Sequence, residues 1–181
     1  AKPLGCYGDG GAIFTEDEGL AKLIDSYRIH GKGSHKYDNE RIGMNSRLDT
    51  LQAAILIEKL AIFADEIEER QKVAARYSDG LKDRYGVPYV PQGLKSTWAQ
   101  YTIKTKDEAE RREVQEKAKA AGIPTAIYYP IPLHAQTAFR EYPRDPNGLP
   151  VSDEMAKRVI SLPMHPYLGA QLQDRVMEAI R

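Results

Sequence analysis

Lys2 stands at the head of a run rich in glycine, Pro3-Leu4-Gly5-Cys6-Tyr7-Gly8-Asp9-Gly10-Gly11, with apolar Ala12-Ile13-Phe14-Thr15 behind it. A primary amine in a turn with little side-chain bulk can act as a Schiff-base nucleophile. Desolvation lowers its pKa, and the open turn admits a flat cofactor. On spacing alone, a solvated terminal lysine is the commoner case. Asn45-Ser46-Arg47 precedes a long helical pattern. There Asn45 can donate to a phosphate and Arg47 can grip a carboxylate or phosphate with two N–H groups. Equally, Asn45 or Ser46 can simply cap the helix. Tyr128-Tyr129 followed by Pro130-Ile131-Pro132-Leu133-His134 puts aromatic and polar groups on a stiff loop. The competing reading is a packed strand ended by proline, with His134 either a general acid/base or a loop hydrogen bonder.

Other chemistries are poorly supplied. The four histidines, His30, His35, His134 and His165, form no i, i+4 pair, and Cys6 is the single cysteine, so no metal site is expected. His30, near an expected helix end, reads as a helix-terminus cation. Tyr7-Gly8-Asp9-Gly10-Gly11 lacks a full phosphate-loop pattern, and no serine sits in a nucleophile-elbow context. Lys+Arg and Asp+Glu balance at 26 each, which removes any electrostatic case for nucleic acid or an anionic membrane as main partner. One cysteine excludes an internal disulfide, and there is neither a signal peptide nor an apolar run long enough to span a bilayer; a cytoplasmic location is expected. The chain opens on Ala1 rather than methionine and is expected to be cut from something longer.

The elements that must position these residues follow from pattern. Residues 10–15 read as a strand (Ala12, Ile13, Phe14, Thr15) entered through Gly10-Gly11. Thr15 with Glu18 matches a capping box for a helix to about His30, with Leu20, Leu23, Ile24 and Tyr27 on its buried side and Gly31 ending it. A polar loop, 31–47, follows. From Leu48 to about Arg84 there is no proline, and Leu56, Leu60, Phe63, Ile67, Val73, Tyr77 and Leu81 recur at helical spacing. Such a helix would span roughly 50 Å, so it is expected to break or to bridge two domains. Glu66, Glu68, Glu69 and Arg70 read as a solvated face. Beyond Gly86-Val87-Pro88 the pattern predicts a strand over 97–104, then a helix capped by Asp107 and closed by Gly122. It continues with a strand over 124–129, a short helix near 135–140, a helix from Ser152 to Lys157, a strand over 158–162 and a helix over 171–181. That alternation describes a small α/β or α+β domain.

Together these pieces resemble the DegT/DnrJ/EryC1/StrS aminotransferases, which act on nucleotide-linked keto sugars. The resemblance rests on four motifs in one order across the chain. They are Ala1-Lys2-Pro3-Leu4-Gly5 with Gly8-Asp9-Gly10-Gly11-Ala12-Ile13-Phe14-Thr15, then Gly43-Met44-Asn45-Ser46-Arg47-Leu48-Asp49-Thr50-Leu51-Gln52-Ala53-Ala54. Gly122-Ile123-Pro124-Thr125-Ala126 with Tyr129-Pro130-Ile131-Pro132-Leu133-His134 follows, and Ser161-Leu162-Pro163-Met164-His165-Pro166 closes the set.

The resemblance implies an α/β fold, the fold type I architecture of pyridoxal-phosphate enzymes. Residues 1–85 would finish the large domain and 86–181 would form the small carboxy-terminal domain. It implies pyridoxal 5'-phosphate as cofactor, held as a Schiff base by Lys2, which then serves as general base and acid in the proton shift. Asn45 would reach the cofactor phosphate of a neighbouring subunit. Arg47, Tyr128, Tyr129 and His134 would lie near the sugar, so the implied assembly is a homodimer with shared sites. Tyr128 stands where several members have His. Related sugar 3-dehydratases carry His in place of the lysine, so Lys2 favours transamination. The subgroup sharing Ala1 to Tyr7, Pro124-Thr125-Ala126 and Tyr129-Pro130-Ile131-Pro132 acts on UDP-2-acetamido-2-deoxy-3-oxo-glucuronate, whose carboxylate suits Arg47. Glutamate would be the amino donor, and lipopolysaccharide or another surface polysaccharide the destination.

The family's phosphate-holding loop, its pyridine-pairing Asp and its stacking ring have no counterpart in this sequence. Residues 1–181 alone are therefore expected to bind the cofactor poorly and to be inactive. The alternative reading is a truncated, non-catalytic dimerisation or regulatory module in which Lys2 is inert.

Overall fold

A computed structural model describes residues 2–35 and 37–181; Ala1 and Lys36 lie outside it. The chain divides into two compact units, Leu4–Phe63 and a second comprising Ala64–Arg181 that also takes in Lys2 and Pro3.

In the unit Leu4–Phe63, helix α1 covers Glu18–Arg28. Its N-cap is Asp17, whose Oδ1 accepts from Leu20 N at 2.9 Å, while Thr15 Oγ1 accepts from Asp17 N. The cap thus lies two residues beyond the expected Thr15, because Asp17 offers a charged acceptor to the first turn, and with Leu20 in the third helical position no reciprocal box forms. The expected strand over 10–15 is absent. No strand among the described residues lies beside it to satisfy its backbone, and Ile13 and Phe14 are exposed. The apolar side of α1 was expected to be buried, but Leu20, Leu23 and Tyr27 stay exposed and Ile24 is half-buried. Its buried residue is Ser26. Helix α2 then runs unbroken from Thr50 to Leu81, 32 residues or about 48 Å. Of the two expected outcomes, a break or a bridge between domains, the break does not occur, since the segment holds no proline and its one glycine, Gly80, sits at the last turn.

The division between units falls inside α2. In the second unit the carboxy-terminal half of α2 supplies Val73, Ala74, Tyr77 and Leu81 to a core completed by Tyr101, Ile103, Val114, Ile160 and Ile180. Strand β1 (Tyr101–Lys104) pairs antiparallel with β2 (Val159–Leu162), Tyr101 opposite Leu162 and Lys104 opposite Val159. Single bridges extend this ribbon on both sides, Gly86 to Lys104 and Ala126 to Ser161. The predicted strand over 124–129 shrinks to that one bridge, because Pro124 has no N–H to give a ladder and Pro130 follows closely. Likewise the strand expected from 97 starts only at Tyr101; Trp98 adopts φ +47°, which no ladder accommodates.

Helix α3 (Glu108–Ala120) is capped as expected. Asp107 Oδ1 accepts from Glu110 N at 2.8 Å, Glu110 Oε2 accepts from Lys106 N at 2.7 Å, and Gly122 turns the chain at φ +70°. Helix α4 covers Pro150–Arg158, with Leu149 rather than Ser152 at its cap; Pro150 starts it because its fixed φ suits the first helical position. The short helix expected near 135–140 is a pair of 3-10 turns, Leu133–Ala135 and Thr137–Phe139. Helix α5 (Ala170–Ala179) ends the fold.

The expected solvated face of α2 also fails in part. Glu66 and Arg70 are both buried, at 9% and 8% exposure. Arg70 Nη1 donates to Trp98 O at 2.9 Å, and Tyr167 donates to Glu66 Oε1 at 2.6 Å. Glu68 and Glu69 remain exposed, as expected.

Candidate functional site

Lys2 is exposed and, among the described residues, has no hydrogen-bond or ion-pair partner. The glycine-rich run after it is a structured loop in the unit Leu4–Phe63. Gly5, Tyr7 and Gly8 all take positive φ, and Cys6 Sγ donates to Gly8 O at 2.6 Å. Gln52, in the first turn of α2, fastens this loop by donating from Nε2 to Cys6 O at 2.8 Å and Asp9 O at 3.2 Å. A Cβ on Gly8 would stand 3.0 Å from that same Nε2. Gln52 was visible in the sequence only as part of a motif, with no role attached.

The Asn45–Arg47 segment is clamped to the end of α1. Met44 N donates to Tyr27 O at 2.8 Å, His30 N to Met44 O at 2.9 Å and Ser46 N to Arg28 O at 2.9 Å, and Ile29 bridges Asn45 antiparallel. The approach is close enough to require glycine twice. A Cβ on Gly31, at φ +75°, would lie 1.9 Å from Arg41 O, and one on Gly43 would lie 2.1 Å from Gly31 N. Buried Ser26 ties the turn together, donating to Lys32 O at 2.7 Å and accepting from Arg41 Nη1 at 3.0 Å. Because α2 begins at Thr50, the cap position falls at Asp49, and the reading of Asn45 or Ser46 as helix cap is overturned. Instead Asn45 Oδ1 accepts from Arg47 Nε at 3.1 Å. An open groove of about 1040 Å³ runs beside this segment, lined by Gly11, Phe14, Ile24, Arg28, Ser46 and Leu48 among others.

In the second unit, Tyr128 and Tyr129 follow the Ala126–Ser161 bridge, whose two bonds measure 2.7 and 3.1 Å. Their rings meet edge-on, 5.6 Å apart, and both remain accessible, at 44% and 65% exposure. His134 sits in the first 3-10 turn, where its Nε2 is 2.9 Å from Asp153 Oδ1 in the first turn of α4. Thus the fold joins Asn45 to Arg47 and Tyr128 to Tyr129, while His134 bonds Asp153 rather than either tyrosine. Asp153 escaped the sequence reading because nothing in a spacing of 19 residues marks the pair. Among the described residues no group of three His, Cys, Asp or Glu side chains is arranged to hold a metal ion, and no helix is long and apolar enough to cross a membrane.

Residues 1–181 match the family model for the DegT/DnrJ/EryC1/StrS aminotransferase family. The chain belongs to this family. It is 52% identical over 169 residues to the UDP-2-acetamido-2-deoxy-3-oxo-D-glucuronate aminotransferase of Pseudomonas aeruginosa, covering 93% of this chain and 45% of that protein. A crystal structure of a DegT/DnrJ/EryC1/StrS aminotransferase from Brucella abortus superposes with a TM-score of 0.94 at 53% identity, covering 99% of this chain and 47% of that one. The Streptomyces venezuelae enzyme DesV, solved in complex with a ketimine intermediate, gives 0.90 at 35% identity over 99% of this chain and 48% of its own. The α/β fold is therefore that of the fold type I aminotransferases. The chain spans about half the length of the relatives it matches.

Proposed function

We propose that this chain is the carboxy-terminal part of a pyridoxal-phosphate-dependent aminotransferase acting on UDP-2-acetamido-2-deoxy-3-oxo-glucuronate, with glutamate as amino donor. The observation that carries the reading is the 52% identity to an aminotransferase of that substrate, spread over 93% of the chain. In this proposal the large domain ends near residue 85 and the small domain occupies 86–181. The enzyme works in the cytoplasm as a homodimer with shared sites, and its product feeds surface polysaccharide, including lipopolysaccharide. Nucleic acid and membrane are not partners.

The residues present suit the cofactor by their donor chemistry. An aldehyde needs a primary amine, which Lys2 supplies. A phosphate needs N–H donors, which Asn45 supplies, and a carboxylate needs the paired N–H groups of Arg47; both residues are accessible. Bound pyridoxal phosphate contributes the electron sink that makes the amine-bearing carbon acidic. Lys2 Nζ takes the proton from that carbon of the amino donor, and in the second half of the cycle it delivers one to sugar C3. Asn45 holds the phosphate. Arg47 meets the uronate carboxylate. Tyr128, Tyr129 and His134 line the sugar, with the His134 ring oriented by Asp153.

The test is to give the full-length protein several UDP- and dTDP-ketosugars with glutamate, beside a Lys2→Ala variant. Preferential turnover of the 3-oxo-uronate, lost in Lys2→Ala, is expected. Equal turnover of a neutral 4-keto sugar would overturn the substrate assignment.

A further inference from the structure

The hydrogen bond between Asn45 and Arg47 has a fixed direction. Arg47 Nε carries a hydrogen and no lone pair available to accept, so the atom it meets at 3.1 Å is the amide oxygen, Oδ1. The orientation of the Asn45 amide is thereby chosen, and its Nδ2–H₂ group faces away from Arg47. Among the described residues Nδ2 has no acceptor. The backbone cannot rotate to undo this, because Asn45 bridges Ile29 and the next amide, Ser46 N, donates to Arg28 O. Arg47 in turn spends only Nε on this bond. Its Nη1 and Nη2 edge, the second of the two edges a guanidinium offers, remains open.

We propose that Arg47 is a positioning residue for Asn45: its Nε holds Oδ1 so that Nδ2–H₂ is presented to the cofactor phosphate, while its outer edge stays available for the substrate carboxylate. The inference rests on the proposed role of Asn45 toward the phosphate and adds to it. A free asparagine would spend part of its time with the oxygen toward the phosphate, where two acceptors repel. Fixing the amide removes that state. A lysine at 47 has no planar Nε–H at this position and cannot reproduce the bond.

The experiment measures equilibrium binding of pyridoxal 5'-phosphate, and separately of pyridoxal lacking the phosphate, to the full-length protein by absorbance and fluorescence. The proteins are wild type, Asn45→Ala, Arg47→Ala, Arg47→Lys and Asn45→Ala/Arg47→Ala. Asn45→Ala is expected to weaken pyridoxal phosphate by about tenfold, the size of one charge-assisted hydrogen bond, and Arg47→Ala and Arg47→Lys by about threefold to fivefold, the share of time a freed Asn45 side chain is misoriented; all should leave pyridoxal unchanged. The double variant should bind like Asn45→Ala, with the second change costing less than about twofold, since Arg47 acts on the phosphate through Asn45. Additive losses would overturn the proposal, showing that Arg47 touches the phosphate directly. So would wild-type affinity in Arg47→Ala beside a weakened Asn45→Ala. An equal loss for pyridoxal would also overturn it, as the mark of a general lesion in the loop. Wild-type affinity in Asn45→Ala would instead overturn the phosphate role of Asn45 itself, and the positioning role with it.

Discussion

The Tyr167 hydroxyl donates to Glu66 Oε1 at 2.6 Å, joining residues 101 positions apart. One turn along α2, Arg70 is buried with Glu66, and its Nε has no partner. Burial pulls the Arg70 guanidinium below its usual range, and the Glu66 carboxylate offsets part of that shift. The hydrogen bond to Glu66 holds the Tyr167 phenol proton more tightly than usual.

Glu66 therefore stabilises the fold chiefly by its charge beside Arg70. Glu66→Ala should destabilise the full-length protein by about 1–2 kcal/mol, because it leaves a buried cation without its neighbouring carboxylate. Tyr167→Phe removes only a part-exposed hydrogen bond and should lower the melting temperature less. Calorimetry on both variants checks the order; a larger loss in Tyr167→Phe would contradict this account.

Three tyrosines make the second unit sensitive to alkali. Burial pushes the phenols of Tyr77, Tyr85 and Tyr101 above their ordinary value. Their hydroxyls bond Pro163 O, Ile180 O and Ser78 Oγ respectively. The folded state thus holds protons that the unfolded state releases above about pH 10. Stability is fully present below that pH and is lost as pH rises toward the folded values, at up to about 1.4 kcal/mol per pH unit for each tyrosine. Urea midpoints should be flat from about pH 8 to 9.5 and then fall. Tyr77→Phe should reduce the slope; an unchanged slope would show that Tyr77 does not contribute.

Interactions between near neighbours in the chain are legible in the sequence, and those between distant residues are not. Asp107 and Glu110 cap α3 as their spacing required, since a capping box is a local interaction. Glu66 and Arg70 misled because a charge on a helix reads as solvated until its distant partners, Trp98 and Tyr167, are known. Ile13 and Phe14 carried a strand pattern, but pairing decides a strand and no paired neighbour is described. At the candidate site, residue types pointed to Asn45, Arg47 and His134. The direction of the Asn45–Arg47 bond and the partnership of His134 with Asp153 needed coordinates, because neither follows from spacing.

Two glycines with the same φ separate steric crowding from backbone strain. Gly31 and Gly148 both sit at φ +75°, but a Cβ on Gly31 would meet Arg41 O at 1.9 Å, whereas nothing lies within 4 Å of one on Gly148. Gly148→Ala should cost about 1 kcal/mol, the strain of a left-handed residue alone. Gly31→Ala should cost clearly more and loosen the loop that carries Asn45 and Arg47, so the full-length protein should also retain less pyridoxal phosphate through gel filtration. Equal melting temperatures for the two variants would refute the crowding argument.

Asp153 has two jobs that one substitution can separate. It lies in the first turn of α4, where a negative charge is favoured by the helix dipole, and it meets His134 Nε2 at 2.9 Å. Asp153→Asn removes the charge but keeps an oxygen to accept from the ring, whereas Asp153→Ala removes both. If the bond orients His134 toward the sugar, Asp153→Ala should raise KM for the nucleotide sugar about threefold to tenfold, the size of one modest hydrogen bond. Asp153→Asn should stay within about twofold of wild type. Pyridoxal phosphate affinity should be unchanged in both, because His134 is assigned to the sugar. A parallel rise in KM for the two variants would assign the effect to the charge at the helix end and remove His134 from the sugar site.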